Sequence, residues 1–312
     1  MKQKITNIIV TLLCVNFTLN AGSISPIPEK IKYDKQKATL GAKLFNDKRL
    51  SKDNTISCAT CHNLNEGGDD NLAVSKGING KKGSINAPTV LNAVFNFRQF
   101  WDGRVATLKE QAAGPIEDPH EMGSSMEDIV KKLEKTEYKE LFDKTYKTGI
   151  TKNNLLDAIA EFEKTLITPN SAFDRYLKGQ KSALKKNELE GFELFKSKGC
   201  ISCHNGVNIG GNLYSKFGVM QDASSANLGR YNVTKKEKDK YYFKVPTLRN
   251  IDLTAPYFHD ARTSSLKEAV KIMALYQLGR PISSDEVDKI VSFLKTLTAK
   301  VPKEYTDVLK NE

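Results

Sequence analysis

Apolar residues recur along this chain at helical spacing. Leu155, Leu156, Ile159, Phe162 and Leu166 fall on one face of a helix, and Val287, Ile290, Leu294 and Leu297 do the same much later. A third helix is expected over Leu266 to Tyr276. No sustained period-two alternation marks a strand, so the fold class reads as all-α. The N-terminus follows another pattern. Lys2 and Lys4 precede an apolar stretch from Ile8 to Val15, and Asn20-Ala21-Gly22 offers small residues for cleavage after Ala21. Residues 1–21 therefore read as an export signal peptide, whose apolar run is too short to cross a bilayer. No later stretch is long and apolar enough for a membrane span, and about 290 remaining residues suggest two domains.

Those two domains read as one unit written twice. Gly41-Ala42-Lys43-Leu44-Phe45 has a counterpart in Gly191-Phe192-Glu193-Leu194-Phe195. Further on, a constant offset of 158 aligns Pro88-Thr89 and Asn92 with Pro246-Thr247 and Asn250. The same offset aligns Phe100-Trp101-Asp102-Gly103-Arg104 with Phe258-His259-Asp260-Ala261-Arg262. The helices containing Phe162 and Phe293 close the two copies. The join is expected near Lys178-Gly179-Gln180, giving units 22–180 and 181–312.

Each unit carries one Cys-x-x-Cys-His motif, Cys58-Ala59-Thr60-Cys61-His62 and Cys200-Ile201-Ser202-Cys203-His204. This is the pattern of c-type haem attachment: two thiols about one helical turn apart form thioethers, and the adjacent histidine reaches the iron. A zinc ribbon would bring its pairs within roughly 20 residues of each other, and disulfides would leave both histidines unexplained. Cys14, the fifth cysteine, lies in the export signal. The units are thus two cytochrome c-like haem domains related by internal duplication, and the function is redox. The formal charge of +11 invites a nucleic-acid reading. Removing the signal and adding four haem propionates leaves about +5. The densest basic run, Lys235 to Lys240, is interrupted by Glu237 and Asp239 and reads as a solvated loop. Nucleic acid is not an expected partner.

The copies differ where a sixth iron ligand would come from. The second has Met273, on the apolar side of its helix, about seventy residues after the haem motif. Thioether ligation raises an iron's potential and closes it to small molecules. Met220 is the competing methionine. At the equivalent place the first copy has Pro115, followed by an acid-rich loop from Pro115 to Met122 that contains Glu117, His120 and Glu121. One iron is thus expected to store electrons and the other to meet substrate.

With these motifs the chain resembles the bacterial dihaem cytochrome c peroxidase family over nearly its whole mature length. The resemblance is carried by Asn86-Ala87-Pro88-Thr89-Val90-Leu91-Asn92, Phe100 to Arg104, Thr107 to Ala112, Gly114-Pro115-Ile116, Pro256 to Asp260 and Tyr276 to Gly279. It implies a periplasmic enzyme that reduces hydrogen peroxide to water with electrons from a small cytochrome c or a copper protein (a cupredoxin). It also implies roles: His62 for the low-potential peroxidatic haem, His204 and Met273 for the high-potential haem, Glu121 as acid–base group with Gln111 beside it, and Trp101 as an electron route. A calcium ion between the domains would be held by the Asn86 side chain and the Thr254 and Pro256 carbonyls. Relatives are often homodimers.

One departure stands out. Many relatives carry a histidine in the loop before Asn86 that caps the peroxidatic iron until the other haem is reduced. Here Ser75 to Gly83 has Ile78 at that place, and only His120 is a further candidate nearby. The peroxidatic iron is therefore expected to be open without reductive activation. Two other functions compete. Dihaem enzymes that oxidise a partner protein's side chains typically use tyrosine where this chain has Met273. A noncatalytic electron carrier would have no use for Gln111 and Glu121.

Overall fold

The computed structural model describes residues 23–223 and 225–303. The export signal and Cys14 lie outside the described residues. The helix-forming residues of the first half give α1 (Lys35–Asn46), α2 (Cys58–Cys61), α3 (Leu108–Glu117), α4 (Met126–Leu133), α5 (Tyr138–Thr145) and α6 (Lys152–Thr165). Then follow α7 (Ala172–Leu177), α8 (Lys186–Ser197), α9 (Tyr231–Thr234), α10 (Leu266–Leu278) and α11 (Ser284–Lys295). Their starts follow local chemistry. Asp34 accepts from the Gln36 and Lys37 amides at α1, and Thr107 with Glu110 and Ser283 with Glu286 form capping boxes on α3 and α11. The all-α expectation misses one small antiparallel sheet, β1 (Tyr214–Lys216) with β2 (Tyr242–Lys244), in the register Ser215 opposite Phe243.

Two helix pairs organise the molecule, α1 with α6 and α8 with α11. Both crossings depend on glycine. A Cβ on Gly41 would stand 1.9 Å from the Ala158 carbonyl oxygen, and one on Gly191 would stand 1.9 Å from that of Lys289. Behind each crossing an aromatic pair interlocks, Phe45 with Phe162 at 5.3 Å and Phe195 with Phe293 at 5.2 Å between ring centres. The faces expected from the sequence are buried: Leu155, Leu156, Ile159, Phe162 and Leu166 in the first pair, and Val287, Ile290, Leu294 and Leu297 in the second. Each such side chain contributes roughly 1.5–3 kcal/mol by leaving water.

Between the pairs lies a polar seam. Asn92 and Asn250 both adopt left-handed backbone conformations ahead of a short 3-10 turn. Their side-chain amides converge on the Thr168 hydroxyl, at 2.8 and 2.9 Å. A buried ion pair, Arg249 to Asp174 at 2.7 Å, draws in the chain start: Arg249 donates to the Ser25 carbonyl and Asp174 accepts from the Ile27 amide. Phe173 of α7 likewise packs among Phe192 and Phe293. Ile24 and α7 thus pack on the second core although they flank the first, while Ile27 packs with Ile167.

Two local expectations need correction. Pro115 does not open a loop. With Ile116 and Glu117 it forms the last turn of α3, because the capping box and the buried Ala112 and Ile116 outweigh the one backbone bond that proline forfeits. The basic run around Lys238 is not plain loop either. It contains a 3-10 turn over Glu237–Asp239, and Lys240 pairs with Glu237 at 2.8 Å. Among the described residues no helix is long and apolar enough to cross a membrane.

Candidate haem sites

The first motif forms a single turn of helix, α2, with the His62 amide bonded to the Cys58 carbonyl at 3.0 Å. The second begins as a 3-10 turn over Cys200–Ser202, and the His204 amide again meets the Cys200 carbonyl at 3.0 Å. All four cysteines are free, so neither pair is a disulfide. Each histidine is oriented through its far nitrogen. His62 Nδ1 donates to the Gly68 carbonyl at 3.0 Å, and His204 Nδ1 to that of Ile209 at 3.3 Å. That leaves Nε2 of each ring as the acceptor for a metal. Burial lowers both imidazole pKa values, His204 to about 4, and so favours the neutral, ligating form. Burial also raises the thiols, Cys61 and Cys200 to about 11. Paired thiols one turn apart with a preset neutral imidazole fit covalent haem at both places.

The second site opens on a mainly apolar cavity that both sequence halves line. Cys203, His204 and Met273 face it from the second half, and Trp101 and Pro88 from the first. Met273 therefore shares a chamber with His204. Met220, the competing methionine, is 62% exposed and packs near Gly279. Trp101 donates its indole N–H to the Asn86 carbonyl at 2.9 Å and meets His259 edge to face. His259 is stacked on Phe243, with Nε2 2.8 Å from the Ser225 hydroxyl.

Near the first motif lies a carboxyl, Glu121. Glu121 sits in the turn after α3, which Asp118 organises by accepting from the Glu121 and Gly123 amides through its carbonyl. Glu121 is half-buried, and its negative charge raises the thiol pKa of both Cys58 and Cys61. Its own pKa is raised, first by burial and then by Asp118, against an opposing pull from Arg104. Gln111 is half-buried on α3, one turn before Pro115. Glu117 is exposed and pairs with Lys152, and His120 is exposed beside Asp118. The Ile78 loop clasps the turn: the Ile78 amide donates to the Glu121 carbonyl at 2.8 Å, and Lys81 Nζ to that of Pro119 at 3.1 Å. Ile78 itself is buried against Gly123.

Hydrogen bonds tie together the loops that carry the expected calcium ligands, Asn71 to Leu253 and Ala255 and the Asn86 backbone amide to the His259 carbonyl. Asn86 is buried and spends its amide N–H on the Leu72 carbonyl, leaving Oδ1 as an acceptor. Asn71 takes the carbonyls of Leu253 and Ala255, while those of Thr254 and Pro256 are not used by the loop's backbone. Beside Leu253 lies an acid that sequence reasoning missed. Asp69 is 1% exposed, its Oδ1 has no hydrogen-bond partner, and burial with the adjacent Asp70 pushes its pKa up to about 7. Hard oxygen donors with an uncompensated carboxyl suit a calcium ion. Glu163 and Lys244 were missed as well, since nothing in their local sequence distinguishes them from solvated charges.

Comparison with known proteins agrees with this geometry. The profile of di-haem cytochrome c peroxidases matches residues 35–182. The cytochrome c peroxidase of Escherichia coli is 50% identical over 281 residues, which is 88% of this chain but 60% of that protein's length. The cytochrome c551 peroxidase of Nitrosomonas europaea is 50% identical over 284 residues, 89% of this chain and 85% of that one. Among solved structures, a MauG-like protein associated with microbial copper homeostasis superposes with a TM-score of 0.77 at 26% identity, covering 91% of this chain and 95% of its own. This chain belongs to the di-haem cytochrome c peroxidase family.

Proposed function

We propose that the protein is a periplasmic dihaem peroxidase that reduces hydrogen peroxide to water with electrons from a small cytochrome c or a copper protein. The observation that carries this reading is the unequal equipment of the two haem sites: Met273 in one cavity with His204 at the second, and at the first a half-buried Glu121 whose charge reaches Cys58 and Cys61. The bound haems supply the irons and the stored electrons. The first haem would be held through His62, and the second through His204 and Met273, which share one cavity. Glu121 would take a proton from one peroxide oxygen and return it to the other as the O–O bond breaks; two electrons from the haems and two protons from solvent complete the reduction of one peroxide to two waters. A carboxyl whose pKa burial has raised suits that task better than a fully solvated acid. Gln111 orients the peroxide by hydrogen bonding, and Trp101 carries electrons from the second site toward the first. Ile78 leaves the first iron without a nitrogen cap, so the oxidised protein is ready for peroxide.

The two halves, 22–180 and 181–312, descend from one duplicated unit. The matched glycine crossings, the paired aromatics and the left-handed Asn92 and Asn250 support this. Calcium is bound by Asn86 Oδ1 and the Thr254 and Pro256 carbonyls, with Asp69 compensating its charge. Export through residues 1–21 delivers the protein to the periplasm, where c-type haems are attached.

Glu121→Gln tests the reading directly. Peroxide turnover is expected to fall by about 100-fold or more while both haems are retained. Unchanged turnover in this variant would remove Glu121 from the mechanism, and a wild-type protein without turnover would favour an electron carrier.

A further inference from the structure

The helix that closes the second half lines the His204 cavity with two side chains, Ile290 and Leu294. The preceding residue, Phe293, lies under the Gly191 crossing just as Phe162 lies under the Gly41 crossing. Glu163 in α6 is thus the counterpart of Leu294; Cys58 packs against the cluster of Phe162 and Leu166 that flanks Glu163, and the Glu163 charge adds to burial in raising that thiol. Glu163 is 5% exposed and its Oε2 has no hydrogen-bond partner. Burial alone pushes its pKa up to about 8. The second cavity holds the opposite charge. Lys244 of β2 lines it at 5% exposure, and burial alone pushes its pKa down to about 8.

We propose that these two buried groups, Glu163 near the first haem motif and Lys244 in the second cavity, widen the separation of the two reduction potentials beyond what Met273 ligation provides. The inference rests on the dihaem reading above and names the residues that make it directional. A carboxylate stabilises the ferric iron beside it, and an ammonium group stabilises the ferrous one. Both act at low local dielectric, where charge interactions are strong. The neighbouring charges are accounted for. Glu121 reaches the same cysteine as Glu163, while Lys37 pairs with Asp157 and Lys164 with Glu161 on the sides of the α1–α6 pair. Near Lys244, Lys198 is tied to Glu286, and burial favours neutral His259. When the first iron takes one electron from the second haem, Glu163 takes one proton from water. The first potential therefore falls with rising pH.

Spectroelectrochemical titration of the intact two-haem protein at a series of pH values from 6 to 10 tests this without peroxide. The wild-type first haem should shift by up to about 59 mV per tenfold change in proton concentration around pH 8. Glu163→Gln should remove that slope and raise the first potential, leaving the second unchanged. Lys244→Met should lower the second potential alone. A pH-independent first potential in the wild type would overturn the proposal whether or not either variant folds. Unchanged potentials in both variants would do so too. A protein with the expected potentials but no peroxide turnover would instead remove the peroxidase reading and leave this one standing.

Discussion

Gly77→Ala should impair catalysis through one methyl group that touches neither haem motif. Gly77 has ordinary extended backbone angles, so alanine carries no conformational cost there. Its Cβ would lie 2.0 Å from the His120 carbonyl oxygen, 2.5 Å from that of Glu121 and 2.7 Å from Glu121 Cα. Ordinary contact requires about 3.5 Å, so the Glu121 turn must retreat by about 1 Å or more. All three contacts are backbone, so no flexible side chain can absorb the clash. Misplacing a catalytic group by about 1 Å costs on the order of 100-fold in rate, and overpacking of this kind destabilises by roughly 1–3 kcal/mol. The assay is steady-state peroxide turnover, read with haem content and thermal melting. Gly83→Ala in the same loop is the control, because its Cβ would meet nothing closer than 3.7 Å. A Gly77→Ala protein with both haems and wild-type kcat would refute the claim that the Ile78 loop fixes Glu121.

Ile78→His should return a nitrogen to the place the resemblance identifies as a cap. The oxidised variant is expected to show a low-spin bis-histidine signal by electron paramagnetic resonance and to lose turnover until the second haem is reduced; the same signal in the wild type would contradict an open first iron. Calcium removal should destabilise the protein, more at pH 8 than at pH 5. The Asp69 pKa is raised from its unfolded value to about 7, so its contribution to stability is complete below about pH 4 and is lost as pH rises through 7 unless a cation holds the carboxylate. In chelated protein Asp69→Asn should recover a few kcal/mol at most at pH 8, read as a higher melting temperature. Equal calcium stabilisation in wild type and Asp69→Asn would exclude Asp69 from the site.

What could be read from the sequence was what chemistry forces into neighbouring positions. A c-type haem needs two thiols and a histidine on one turn of chain, and an amphipathic helix needs its apolar residues at helical spacing. Both therefore stand out without any fold. The offset of 158 was legible for a related reason: Asn92 and Asn250 occupy the same left-handed turn, and Phe100 and Phe258 also share positive φ. Contacts between distant segments were not legible. Arg249 finds Asp174 across 75 residues of chain, and that pair holds Ser25 and Ile27 of the chain start. Glu163 lies in Glu161-Phe162-Glu163-Lys164, which reads locally as a solvated stretch; only the packing of α6 on α1 buries it. Pro115 misled because proline's usual meaning, a break, lost to the packing of α3.

The most direct test of the account is the stoichiometry of peroxide reduction by the two-haem protein, with a reduced small c-type cytochrome as donor. The account predicts peroxide-dependent oxidation of two donor molecules for each peroxide consumed. Donor oxidation without peroxide consumption, or no donor oxidation at all, would contradict it.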